Sequence, residues 1–373
     1  MSEFLPFARP EIDEDTIAAV GEVLRSGWIT SGPQVQRFEA ELSAYFAGRA
    51  VRSFTHATAA LEIAVRLSGA GPGDEVIVPA MTFVASANVV QLAGARPVLV
   101  DVDLDSRNTD AARIEAAITP RTKAVMPVHF AGLPVDMEPI YALARRRRLR
   151  VIEDAAHAMG AVYRGRRIGA QGDLVAFSFH PNKNLTTIEG GALSFADAAE
   201  LERAERLRFH GIRKLPGNEM EVAEPSGKSN LSDVSARIGI AQLAKLAQFN
   251  ARRSALARSY FDKLKGIAHV RLPAAGDAGH SWHLFAPLID FAAIGMTRAE
   301  FIARMHARGI GVGVHYPAMH LFEAYRRLGY RRGDFPNAET IGERTVTLPL
   351  FTQMREADVE RVCEALQAIL PAQ

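Results

Sequence analysis

The chain has 373 residues, 48% of them hydrophobic and 23% charged, which is typical of a soluble globular protein with enough core for two domains. Its formal net charge of +2 indicates neither a nucleic-acid-binding surface nor a polybasic membrane patch. One cysteine, Cys363, excludes an internal disulfide framework, and no targeting or membrane-spanning segment is recognisable, so we expect a cytoplasmic protein.

Short apolar segments rich in valine and isoleucine alternate with longer segments of helical spacing. They predict five strands, at residues 75–79, 96–102, 124–128, 150–154 and 174–178. Continuous apolar strands separated by helices are typical of a mostly parallel sheet covered on both faces. Ligands bind such sheets at the carboxyl ends of the strands, and Asp154 and Ser178 fall there.

Beyond about residue 250 the pattern changes to that of a smaller α+β unit. Thr297 and Glu300 form a capping-box pattern that predicts a helix running to about Arg308. Further predicted elements are strands at 284–290 and 311–316 and a helix at 356–370. We therefore predict a large domain at residues 1–249 and a small C-terminal domain at residues 250–373.

The strongest chemical signal is Lys183, one of only seven lysines among 44 Lys and Arg residues. It lies just after the predicted strand 174–178, among small and polar residues, with no acidic residue or other Lys or Arg in the eight positions before it. An amine among neutral groups loses its proton readily, as Schiff-base formation with a cofactor aldehyde requires. For the residue taken alone, a solvated loop lysine is the alternative.

Pyridoxal phosphate requires such a lysine, a carboxylate beside the pyridine nitrogen, and donors for its phosphate. Asp154 ends an apolar strand, where a pyridinium would be a suitable partner; a cap for residues 155–158 is the alternative. Ala57 and Thr58 begin an alanine-rich helical pattern whose backbone amides suit a phosphate, although a threonine cap there is often structural. Dinucleotide binding lacks its Gly-x-Gly-x-x-Gly signal, and no metal site is predicted.

Several separated motifs resemble the DegT/DnrJ/EryC1/StrS family of sugar aminotransferases. They occur in the family's order along nearly the whole chain, at residues 27–33, 79–83, 129–132, 151–158, 183–191, 281–285, 315–317 and 348–351. The resemblance implies an α/β protein of the fold-type I class of pyridoxal-phosphate-dependent aminotransferases. It also implies a large domain with a mostly parallel central sheet, a smaller C-terminal α+β domain and a homodimer with active sites at the subunit interface.

The resemblance also implies roles for individual residues. Lys183 becomes the Schiff-base lysine, Asp154 the partner of the pyridinium, and His157 a residue near the ring's phenolic oxygen. The residues implied to hold the rest of the cofactor are Ala57, Thr58 and Ser178 at the phosphate, Phe83 on the ring face, and Asn230 at the phosphate of the neighbouring subunit. Taken alone, Phe83 is equally a core residue and Asn230 a turn residue.

The implied reaction moves an amino group from glutamate to a nucleotide-linked 4-keto sugar, leaving 2-oxoglutarate, with pyridoxamine phosphate formed in between. Residues 1–7 and 178–180 most resemble members that act in UDP-4-amino-4-deoxy-L-arabinose synthesis, which implies a UDP-linked sugar and lipid A modification in lipopolysaccharide. We expect the sugar to lie between the loop at 27–33 and the segment at 315–320. The proposed contacts are Trp28, Thr30, His315, Tyr316 and His320, although Trp28 and Tyr316 equally suit packing at the domain junction.

Alternatives remain. A 3-keto sugar fits the cofactor motifs equally well. A sugar dehydratase of the family would have histidine in place of Lys183, and a non-catalytic pyridoxal-phosphate-binding regulator would need a DNA- or partner-binding segment that we do not recognise. Ile188 departs from the family's pattern, since glycine or alanine is commoner at that position.

Overall fold

The predicted alternation of strands and helices forms a seven-stranded central sheet in the computed structural model, which describes residues 3–277 and 279–371. The strands are β1 (Ala50–Phe54), β2 (Glu75–Pro79), β3 (Arg96–Val100), β4 (Thr122–Val125), β5 (Arg150–Asp154), β6 (Val162–Tyr163), β7 (Arg166–Arg167), β8 (Leu174–Ser178), β9 (Gly191–Phe195), β10 (Ile212–Lys214), β11 (Met220–Val222), β12 (Val270–Arg271) and β13 (Leu288–Ile289).

The order across the central sheet is β1-β9-β8-β5-β4-β2-β3. Every neighbouring pair from β8 to β3 is parallel, whereas β9 is antiparallel to both β8 and β1. Only β9 therefore runs against the other six strands, which confirms the predicted mostly parallel sheet. Strands β5 and β8 are adjacent, so their carboxyl ends place Asp154 and Ser178 at one edge.

Helices cover the sheet and build the C-terminal part of the chain. They are α1 (Glu14–Ser26), α2 (Pro33–Tyr45), α3 (Ala57–Leu67), α4 (Ala85–Leu92), α5 (Ala111–Ala117), α6 (Met137–Arg147), α7 (Glu200–Leu207), α8 (Asp233–Leu264), α9 (Arg298–Ala307), α10 (Glu323–Arg326), α11 (Pro336–Arg344) and α12 (Glu356–Gln367). Within the described ranges, no helix combines the length and apolar character needed to cross a bilayer.

Buried apolar residues form several clusters, and the cluster around the central sheet also includes residues from beyond position 250, such as Leu284 and Tyr325. Those of the central sheet pack against α3 and α6, while a C-terminal cluster begins at Leu256 and includes Leu5 from the start of the chain. The boundary predicted at residue 250 falls inside α8, which has 32 residues. The first half of this helix packs in a further cluster with residues of β8 and β9, and its second half packs in the C-terminal cluster.

Two C-terminal strand predictions are largely wrong. Of residues 284–290, only β13 is a strand, and residues 311–316 form a single isolated bridge, between Gly313 and Thr347. The backbone of residues 311–316 forms hydrogen bonds with scattered parts of the chain and not with one neighbouring strand. For example, the Gly311 N–H donates to the Leu5 carbonyl at 2.8 Å. By contrast, the capping box at Thr297 is confirmed at the start of α9.

Candidate active site

A cavity of about 320 Å³ opens at the carboxyl ends of β5 and β8. Most of the predicted site residues line it: Ala57, Thr58, Phe83, Asp154, His157, Ser178, Lys183, His315 and Tyr316. Its volume lies within the range of small-molecule sites. In the part of the chain that the structure describes, no group of three His, Cys, Asp or Glu side chains is arranged to hold a metal ion.

Lys183 and Asp154 supply the cavity's opposite charges. The Lys183 side chain is partly buried, and the enclosure of its amine lowers its pKa to about 8, although attraction to Asp154 opposes that shift. Asp154 is buried, which raises the pKa of its carboxyl. Its oxygens accept hydrogen bonds from Ser86 Oγ at 2.7 Å and from the Ala156 N–H at 3.1 Å. Residues 155–158 form a turn, so Asp154 caps no helix there.

The ring of His157 is oriented by a backbone bond, because the Ala131 N–H donates to its Nδ1 at 3.2 Å. A nitrogen that accepts from an N–H carries no proton, so neutral His157 has its proton on Nε2. Burial lowers the pKa of His157, and the nearby Lys183 lowers it further. Nε2 lies 3.2 Å from the Tyr316 hydroxyl, to which it can donate.

The amino end of α3 forms another wall of the cavity. His56 is its N-cap, and the His56 Nδ1 accepts from the Ala59 N–H at 2.9 Å, so neither Thr55 nor Thr58 caps this helix. The first N–H groups of a helix have no partner within it and favour an anion. Gly191 starts β9 directly against this turn: a Cβ there would lie 2.6 Å from the Ala57 nitrogen.

Phe83 is 54% exposed, so it is not a core residue, and its ring lies 5.6 Å from that of Tyr316. The cavity thus combines a lysine amine, an opposed carboxylate, an exposed aromatic face and a helix amino end. These groups fit the parts of pyridoxal phosphate: its aldehyde, pyridine nitrogen, ring and phosphate.

Comparison with known proteins agrees with this geometry. A model of the DegT/DnrJ/EryC1/StrS aminotransferase family matches residues 10–367. The chain belongs to that family. This assignment confirms the predicted fold class and the prediction of a pyridoxal-phosphate-dependent sugar aminotransferase.

Solved structures resemble this aminotransferase over nearly its whole length. The PLP form of Spr1654 from Streptococcus pneumoniae is 33% identical, with a TM-score of 0.92 and coverage of 98% of each chain. DesV from S. venezuelae is 36% identical, with a TM-score of 0.90 and the same coverage. PseC from Helicobacter pylori, an aminotransferase involved in the biosynthesis of pseudoaminic acid, is 26% identical, with a TM-score of 0.93 and coverage of 99% of each chain.

Three predicted residues of the aminotransferase, Trp28, Thr30 and Asn230, lie together outside the cavity. Asn230 Nδ2 donates to Ser31 Oγ at 2.5 Å, and Trp28 is 60% exposed. Asp233 fixes the end of the loop at 27–33, because its carboxylate accepts hydrogen bonds from three backbone N–H groups, those of Gly32, Gln34 and Val35. In a single subunit this cluster does not contact the cofactor cavity.

His320 does not line the cavity, so its predicted position at the substrate is wrong. Its side chain is fully buried, and its Nε2 is paired with Glu339 at 2.9 Å. Tyr316 is placed differently from the prediction, since it bonds to His157 inside the cofactor cavity instead of lying only at the sugar. His283 lies in the motif at 281–285, where the sequence pattern indicated no role for it, and its Nε2 is 3.4 Å from the Lys183 amine.

Proposed function

We propose that this aminotransferase moves an amino group from glutamate to the 4-keto group of a nucleotide-linked sugar, with pyridoxal phosphate as its cofactor. The observation that carries the proposal is that one cavity holds the Lys183 amine, the buried Asp154 carboxylate and the amino end of α3. The PLP form of Spr1654, a related protein of nearly the same length, supports the choice of cofactor.

The cofactor, when bound, supplies an aldehyde for amine exchange and a ring that withdraws electrons from the reacting carbon. Lys183 is the residue that would bond to it. Asp154 would hold the ring nitrogen in its protonated form, and Phe83 would cover a ring face. Ala57, Thr58 and Ser178 would bind the phosphate through α3 backbone amides and hydroxyl groups.

The protein's own proton chemistry centres on Lys183. A pKa of about 8 leaves part of the amine unprotonated near neutral pH, so Nζ can take a proton from a substrate carbon and return it. His157 carries its proton on Nε2, toward the Tyr316 hydroxyl, and thus directs a hydrogen-bond donor into the cavity. In its depressed pKa range His157 stays neutral and does not compete with Lys183 for protons.

The active enzyme is a homodimer in this proposal, and each subunit contributes to its partner's site. Trp28 and Ile29 are large apolar residues that are exposed on one subunit, at 60% and 47%. Beside them the buried side-chain oxygen of Asn230 has no partner among the described residues. Burying this surface against a second subunit would remove apolar area from water and supply a partner for that oxygen.

The proposed substrate is a UDP-linked 4-keto sugar of UDP-4-amino-4-deoxy-L-arabinose synthesis, which serves lipid A modification. The proposed location of the enzyme itself is the cytoplasm. Its support is the resemblance at residues 178–180 and at the opening residues 1–7, of which residues 1 and 2 lie outside the described part of the chain. Trp28 offers an aromatic face to the nucleotide base or sugar, and Thr30 and His315 offer hydrogen-bond groups.

The test is a panel of nucleotide-linked keto sugars incubated with the enzyme and glutamate. UDP-linked 4-keto pentose, 4-keto hexose and 3-keto hexose are compared, and both the amino sugar and 2-oxoglutarate are measured by mass spectrometry. We expect the highest kcat/KM for the UDP-linked 4-keto pentose. Faster amination of the 3-keto sugar would replace this proposal with the C3 alternative. A cofactor-loaded enzyme that reacts with glutamate and aminates none of these sugars would refute a UDP-linked keto sugar as the substrate.

A further inference from the structure

His283, which the proposed reaction does not use, lies against the amine of Lys183. Its Nε2 is 3.4 Å from Lys183 Nζ, and its side chain is buried, at 2% exposure. Within the described ranges, His283 is the hydrogen-bond partner of this amine, and Lys183 forms no ion pair with a carboxylate there. The attraction to Asp154 thus acts across the cavity, while the direct contact is with an imidazole.

Backbone bonds fix the position of the His283 ring. The His283 N–H donates to the Ala131 carbonyl at 2.9 Å, and the guanidinium of Arg253 donates to the His283 carbonyl at 3.3 Å. One residue earlier in this turn, Trp282 has a φ of 50°, in the left-handed region. Asn184, the neighbour of Lys183, donates to the Ser281 carbonyl at 2.7 Å, so the two segments are held together independently of the amine.

Packing alone does not explain an imidazole at this position. Burying a polar ring costs free energy unless it is hydrogen-bonded, and the other ring nitrogen, Nδ1, has no partner among the described residues. A leucine or phenylalanine would fill the same space without that cost. Burial and the adjacent Lys183 both lower the pKa of His283, so the ring is neutral and can accept from the amine.

We propose that His283 is a positioning residue that binds the Lys183 amine whenever the lysine is not joined to the cofactor. The hydrogen bond restricts the lysine's flexible side chain, which otherwise loses conformational freedom when it reacts. The inference rests on the proposed role of Lys183. When Lys183 captures the cofactor, Nζ bonds to the aldehyde carbon, and two amine protons leave with the aldehyde oxygen as water.

The test compares cofactor capture by the cofactor-free wild type, His283→Gln and His283→Met. Glutamine retains a side-chain acceptor at similar reach, and methionine has nearly the same length without a strong acceptor, so the two variants are a matched pair. Each protein is mixed rapidly with pyridoxal phosphate. Quenching of tryptophan fluorescence reports binding, and borohydride added at intervals, followed by peptide mapping, reports the fraction joined to Lys183.

We expect unchanged binding in all three proteins, but capture roughly tenfold slower in His283→Met, the effect of one lost hydrogen bond to a charged group. His283→Gln should stay within about threefold of wild type. Wild-type capture in both variants, or equal slowing in both, would overturn the proposal. If His283→Met fails to unfold cooperatively, His283→Asn, whose amide is too short to reach Nζ, replaces it. Cofactor fixed to another lysine in the wild type would instead refute the proposed function of Lys183.

Discussion

Replacing Asp154 with asparagine separates its charge from its shape. The amide can still accept from the Ala156 N–H and contact Ser86 Oγ, so the turn after β5 should persist. It cannot hold the pyridine nitrogen protonated. Loss of a hydrogen bond between charged groups costs about 1.5–3 kcal/mol, which corresponds to a turnover roughly 10- to 150-fold slower. Cofactor binding through the phosphate should be nearly unchanged.

The same substitution should stabilise the cofactor-free protein at pH 7. Burial raises the pKa of Asp154, so the unfolded chain releases this proton at a lower pH than the folded protein does. The free energy of unfolding therefore falls as the pH rises from the pKa of Asp154 in the unfolded chain through its pKa in the folded protein. At pH 7 the ionised carboxylate thus destabilises the folded state. Removing the charge should raise the free energy of unfolding of the cofactor-free protein by about 0.5–2 kcal/mol.

The assays are stopped-flow kinetics with glutamate for the loaded enzyme and urea unfolding of the cofactor-free protein at pH 5 and pH 7. Asp154→Asn should react more slowly with glutamate in the stopped-flow assay. In urea it should be more stable than the wild type, and the gain in stability should be larger at pH 7 than at pH 5. Near-native turnover would show that Asp154 serves only the turn after β5. A cofactor-free variant that is less stable than wild type at pH 7 would contradict the argument that burial makes this carboxylate costly.

Three further predictions address the cavity and the surface loop. The purified enzyme should be yellow, and borohydride should remove the colour and leave the reduced cofactor on Lys183 in a peptide map; another labelled lysine would refute the assignment. Tyr316→Phe should slow the glutamate and sugar half-reactions by a similar factor, roughly three- to tenfold, because its hydroxyl contacts His157 in the shared cavity. A spared glutamate half-reaction would place Tyr316 at the sugar alone. Asp233→Asn should weaken the hydrogen bonds to three backbone amides around the end of the loop at 27–33. We expect it to lower the free energy of unfolding by about 1–3 kcal/mol and to raise the sugar KM. A normal KM would exclude the 27–33 loop from sugar binding.

The parts of the fold that the sequence predicted well are those specified locally. Strands β2, β5 and β8 have the predicted bounds, because buried parallel strands are continuous apolar runs. Residues 311–316 alternate glycine with valine before His315 and Tyr316, and the Gly311 N–H bonds to the Leu5 carbonyl, a contact that no local pattern reports. Ile188 shows the same limit: the structure gives this β-branched residue a φ of 72°, a backbone conformation that favours glycine and disfavours a branched side chain.

The residues of the candidate site also fall into those that local sequence predicts and those that depend on distant contacts. Lys183 and Asp154 could be predicted because their chemistry is unusual for their local surroundings, a lysine among neutral groups and a carboxylate at the end of an apolar strand. His283 and Tyr316 could not be placed, since their segments reach the cavity only when the C-terminal part of the chain packs against the sheet, as the bond from His283 to Ala131 shows. The groups proposed for the bond to the cofactor thus come from the central sheet. The groups that orient Lys183 and His157 around the cofactor, His283 and Tyr316, come from the C-terminal part of the chain. A change in how this part packs against the sheet should therefore alter the reaction without removing the cofactor.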